Sequence, residues 1–166
     1  MMPGENNPWC ARELRTPSHS LAEWLPMGNV GVPECTIGVL KDGAWVVDTA
    51  DGLADLRETR ALTFLLPLLN STFETVREML ANFQKGSKLD CVKPNEFPLN
   101  SLIVHAVSSG GYWAEQAFRW LSKVELSANE KIAIINNLTA IENNKVFNQT
   151  LRHEARRHRR QMELGQ

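Results

Sequence analysis

The sequence predicts an α+β protein, predominantly helical, with a small N-terminal β-hairpin or short sheet packed on helices and antiparallel helical hairpins at the C-terminus. Three features point there. Two β-rich runs flank an Asp-Gly turn at 42–43, several segments after residue 60 repeat apolar side chains at helical spacing, and Ser71/Glu74 and Ser127/Glu130 have the spacing of capping boxes.

Composition supports a folded chain. At 166 residues, 43% hydrophobic and 22% charged, it has the balance of a globular protein with enough apolar surface for a core. The longest apolar run, 62–69, is interrupted by Pro67 and falls well short of the roughly 20 residues that cross a bilayer. Residues 1–8 lack a basic segment followed by an apolar one, so no secretory signal is read and the cytoplasm is the expected compartment. Cys10, Cys35 and Cys91 form no CxxC pair and read as reduced thiols rather than as a disulfide framework. The net charge of −1 hides an asymmetry: residues 1–60 hold nine acids and five bases, and residues 124–166 hold five acids and seven bases.

Element by element, residues 1–34 carry five of the eight prolines, which favours extended chain and turns. One short helix is expected there, capped by Ser18 or Ser20, with Leu21, Trp24 and Leu25 on one face and Pro26 as its stop. Residues 35–40 and 44–49 read as a hairpin about Lys41-Asp42-Gly43, which must either pack on helices or recruit a third strand from 28–33. Asp51-Gly52 is read as opening a helix through about Arg60, and 62–69 as a second apolar helix bent at Pro67. Ser71-Thr72-Phe73-Glu74 reads as a capping box for a helix whose face is Phe73, Val76, Leu80 and Phe83 and whose stop is Gly86. These elements form a mixed module over 1–86, followed by a polar, proline-containing connection at 87–97 and a helical module at 98–166.

In the helical module, Pro98 suits the first turn of a helix over 99–107, and Gly110-Gly111 separates it from one over 112–123. The latter presents Trp113, Ala117, Trp120, Leu121 and Val124 on a face that requires burial. Ser127 to Glu130 is the second capping box, opening a helix lined by Ile134, Ile135, Leu138 and Ile141 that Asn143-Asn144 ends. The last helix is two-sided: Phe147, Leu151, Ala155, His158 and Met162 keep the helical period, and Arg152, Arg156, Arg157, Arg159 and Arg160 occupy the remaining circumference.

The sequence presents no catalytic, cofactor or metal site. His153 and His158 miss the metalloprotease spacing by one residue, which puts the imidazoles about 140° apart around a helix. His105 with Ser109 and the following glycines suggests a hydrolase as a minor alternative, but the G-x-S-x-G elbow is missing and a helix stop accounts for the segment. Asp48, Asp51, Asp55 and Glu58 lack the order of a calcium loop, and no phosphate-cradling glycine motif occurs.

The basic tail is the strongest functional signal. Arg152, Arg156, Arg157, Arg159 and Arg160, together with the acids Asp51, Asp55 and Glu58, are the expected partner contacts, and another protein is the expected partner. Nucleic acid bound through the arginines to phosphates is the alternative. Finally, Tyr112-Trp113-Ala114-Glu115-Gln116-Ala117-Phe118-Arg119-Trp120-Leu121, residues 126–138, and Asn148-Gln149-Thr150-Leu151-Arg152-His153-Glu154-Ala155-Arg156 together resemble the HEAT-like helical tails of small bacterial proteins. Some of those are immunity partners of secreted toxins. The resemblance covers about 50 residues; it implies a non-enzymatic protein that neutralises a toxin domain by binding it.

Overall fold

Five strands, rather than a hairpin, organise the N-terminal half in the computed structural model, which describes residues 8–15, 20–30, 35–85 and 92–165. β1 (Cys10–Glu13), β2 (Leu21–Val30), β3 (Cys35–Leu40), β4 (Trp45–Thr49) and β5 (Gly52–Asp55) form an antiparallel meander in chain order. The chain divides into two units, Met1–Phe97 and Pro98–Gln166, and the sheet lies in the first.

This corrects the expectation of a small β-hairpin or short sheet, since the sheet has five strands, and two local readings explain the error. The stretch read as a short helix at Leu21, Trp24 and Leu25 is β2, which pairs with β1 on one side and β3 on the other. A helix of one or two turns carries the full cost of nucleation for few hydrogen bonds, whereas a central strand gains two ladders. Trp24 and Leu25 are then both buried, as neighbours in a strand covered on two faces. A register shift between Pro26 and Gly28 accommodates the missing proline donor. The second misread stretch, from Asp51, is a tight turn followed by β5: Gly52 has φ +115°, and a Cβ there would lie 2.6 Å from the Glu13 carbonyl oxygen. The third strand expected over 28–33 is, for 28–30, the end of β2; 31–33 lie outside the described residues.

One sheet face buries Trp24, Leu40, Ala44, Val46 and Leu53, with Leu14 and Ala22 at its margin. Leu25, Val39 and Trp45 align across β2, β3 and β4 and are also buried. The end of β1 reaches β5 through a parallel bridge, Leu14 to Leu53, with the Arg15 amide donating to the Leu53 carbonyl at 2.8 Å.

Residues Thr59–Asn70 form a 3-10 helix in place of the bent helix expected over 62–69. Its three-residue period stacks Leu62, Leu65 and Leu68 in one row and Leu66 and Leu69 in the next, and all five are buried. α1 (Phe73–Lys85) follows. Its start lies one residue later than the expected box, because Thr72 Oγ1 accepts from the Thr75 amide at 3.2 Å. Phe83 of α1 lies over Gly28 of β2, and the expected stop, Gly86, is outside the described residues. Residues 92–97 pack with the first unit: the Asn95 amide donates to the Gly43 carbonyl at 2.9 Å, Trp45 Nε1 donates to the Asn95 carbonyl at 2.7 Å, and Phe97 meets the Trp45 ring edge-on.

The second unit contains α2 (Leu99–Ser109), α3 (Gly111–Phe118), a 3-10 turn Leu121–Lys123, α4 (Ala128–Asn143) and α5 (Gln149–Leu164). Gly110, with φ +66° and ψ −170°, turns the chain between α2 and α3. Its core contains Leu102, Ile103, Ala106, Ala117, Phe118, Trp120, Ile134, Leu138, Leu151 and Ala155. The helix expected over 112–123 stops at Phe118, so its predicted face splits: Ala117 and Trp120 are buried, whereas Trp113, Leu121 and Val124 are only half-buried. No helix among the described residues is long and apolar enough to cross a membrane.

Candidate partner-binding surface

The arginine-bearing helix is fixed at its start, along its apolar side and along its charged side. At the start, Asn148 Oδ1 accepts from the Leu151 amide at 2.8 Å, satisfying one free donor of the first turn. Just before the cap, Phe147 packs its ring on Gly110. Along the apolar stripe Leu151 and Ala155 are buried, and the His158 ring lies 4.9 Å from that of Phe118. Burial pushes the His158 imidazole below its ordinary pKa; Arg157 adds to the shift and Glu154 opposes it.

On the charged side, Glu142 near the end of α4 holds two arginines at once. Arg156 Nε donates to one carboxylate oxygen at 2.7 Å and Arg159 Nε to the other at 3.0 Å. Arg159 also reaches Glu163 one turn on, at 2.8 Å. The Glu142 carboxyl is held below its ordinary pKa, first by the hydrogen bond from Arg156 and, against the cost of burial, by that from Arg159. Its side chain is 12% exposed, against 47% for Arg156 and 23% for Arg159.

The expected arginines therefore fall into two groups. Arg156 and Arg159 are engaged within the molecule, whereas the side chains of Arg152, Arg157 and Arg160 make no hydrogen bond or ion pair among the described residues. Arg157 and Arg160 are exposed, and the Nε of Arg152 is shut from solvent with no partner. Glu142, which pairs with Arg156 and Arg159, is the residue of this surface missed from sequence. A signal for it existed: an acid in the last turn of a helix opposes the macrodipole and so suggests a cation holding it there.

The expected acids all lie in the first unit. Asp55 is chelated by Arg57, which also reaches Asp42 at 3.0 Å; Asp51 faces Arg15 at 3.7 Å; and Glu58 is exposed at the start of the 3-10 helix. Asp51, with Arg12, Glu13 and Leu21, also lines an open depression of about 480 Å³ beside β1. Arg12 is engaged there by Asp48 and the Thr49 carbonyl.

The hydroxyls of Ser108 and Ser109 both donate to the His105 backbone carbonyl, at 2.7 and 2.9 Å, closing the end of α2. Among the described residues no group of three or more His, Cys, Asp or Glu side chains is placed to hold a metal ion. Cys10 is exposed and Cys35 partly buried as free thiols; Cys91 lies outside the described residues. No family model, curated protein or solved structure matches the chain.

Proposed function

We propose that this protein works without catalysis, by binding another protein through the basic face of α5, and that it is an immunity protein which neutralises a toxin domain in the cytoplasm. The observation that carries the reading is a helix fixed by its cap, its apolar stripe and Glu142, which nonetheless leaves Arg152, Arg157 and Arg160 without internal counter-charges among the described residues. The helix is fixed and these cations stand without ion pairs among the described residues, so an acidic surface gains their attraction without first breaking one. The likeness of the C-terminal segments to HEAT-like tails of immunity proteins gives the partner class. Engagement of both serine hydroxyls by a backbone carbonyl supports the absence of a serine nucleophile at 108–109.

The test is titration calorimetry of the full chain against the protein encoded by the adjacent gene, paired with growth of cells expressing that protein with and without this one. Stoichiometric binding and rescued growth are expected. No binding and no rescue would refute the reading. Steeply salt-dependent binding to nucleic acid, with no protein complex, would replace it by the phosphate-binding alternative.

A further inference from the structure

The five arginines of α5 are not equivalent. Successive residues are about 100° apart around a helix, so Arg152, Arg156 and Arg160 rise along one gently winding row at i, i+4 and i+8. At 1.5 Å per residue the row is about 12 Å long. Arg157 stands about 60° from Arg160 and about 140° from Arg152 on the same geometry. Neighbours in the row repel one another, because like charges at i, i+4 face each other. Among the described residues, Arg156 alone of the row is paired with an acid, Glu142, which it binds through Nε.

Glu142 displays the chemistry that fits this side of α5: one carboxylate, one oxygen to each of two guanidinium Nε atoms. It sits on a separate helix, so the contact is already one between helices. The same surroundings disfavour a phosphate backbone. Glu142 and Glu163 stand among the arginines, the row ends after about 12 Å, and the chain as a whole is at −1.

We propose that Arg152, Arg156 and Arg160 receive an acidic helix of a partner protein, one presenting carboxylates at i, i+4 and i+8, and that Glu142 is an internal competitor which holds Arg156 until a partner carboxylate replaces it. The inference rests on the reading of α5 as a protein-binding face and specifies the chemistry of its partner.

The experiment is fluorescence anisotropy of the full chain with a labelled alanine-rich helical peptide carrying Glu at i, i+4 and i+8, and with its Gln counterpart. The Glu peptide is expected to bind at least about tenfold tighter than the Gln peptide; R160Q should weaken it about tenfold, R157Q less than about twofold, and E142Q should tighten it about threefold or more. Equal effects of R157Q and R160Q, or equal binding of the two peptides, would overturn the row. So would unchanged or weaker binding by an E142Q variant that melts like the parent. Should E142Q melt lower, the exposed pair R157Q and R160Q decides alone. A 12-nucleotide single strand that binds tighter than the Glu peptide would assign the row to nucleic acid and overturn the proposal. A natural protein partner that still binds R160Q normally would remove the row while leaving protein binding intact; absence of any protein partner would remove both.

Discussion

Gly110 and Gly111 are adjacent, both have positive φ, at +66° and +53°, and differ in what surrounds them. A Cβ on Gly110 would sit 2.5 Å from the tip of the Phe147 ring, whereas one on Gly111 meets nothing within 4 Å. Gly110 also combines its φ with ψ −170°, a region essentially reserved for glycine, so alanine there costs about 1–3 kcal/mol in backbone strain. The clash adds about 1–3 kcal/mol, because the ring tip is stiff and must move as a whole. Gly110→Ala should therefore destabilise by on the order of 4 kcal/mol, a large part of the roughly 5–15 kcal/mol of a typical domain. Gly111→Ala should cost only about 1–2 kcal/mol, the left-handed strain alone. Urea denaturation followed by far-ultraviolet circular dichroism measures both. In a Phe147→Ala background the cost of Gly110→Ala should fall by about 1–3 kcal/mol, since the clash is gone and the strain remains. Equal costs at 110 and 111, or no coupling to position 147, would refute the claim that Phe147 pins the α2–α3 turn to the loop before α5.

Stability should fall as pH drops through the ordinary histidine range. His158 and His105 are both pushed by burial below 6.5, so the unfolded chain binds protons first; their contribution is complete above about 6.5 and declines below it until their folded values are reached. The double variant H105Q/H158Q should flatten thermal stability measured between pH 7 and 5.5, and an unchanged slope would count against burial as the cause. Leu138→Ala removes a fully buried side chain at the centre of α4 and should cost about 2–5 kcal/mol by chemical denaturation; a loss under 1 kcal/mol would mean the site collapses freely. Ser127→Ala removes the hydroxyl that accepts from the Glu130 amide and should cost about 1 kcal/mol, read as a lower urea midpoint with an unchanged slope.

The helical half was more legible in the sequence than the sheet because its signals are local. The Ser127 and Glu130 box closes within four residues, with both reciprocal hydrogen bonds present. Ile134, Leu138 and Ile141 are buried at the spacing the periodicity gives. Sheet partners, in contrast, are chosen at a distance. Cys10-Ala11-Arg12-Glu13 has no alternating pattern of its own and becomes a strand because β2 offers it an edge. A missed clue lay at Asp51-Gly52, the same dipeptide that marked the turn at 42–43; between Val47 and Leu53 it signals a second hairpin as readily as a helix start. On the charged face, periodicity placed the arginines, but Glu142 lies on another helix, and only the packing of α4 against α5 brings it to Arg156 and Arg159.

The bridge from Leu14 to Leu53 has a kinetic meaning. It joins the first strand to the last, so it forms only after the intervening hairpins have shortened the loop that it closes. What assembles last, held by one short run of contacts, is also what opens most readily. The Arg15 amide, which donates across that seam, should exchange with solvent far sooner than amides of β3, and each opening uncovers the outer edge of β5 about Leu53. Aggregation of this chain under mild stress would then start from that edge while most of the sheet is still intact.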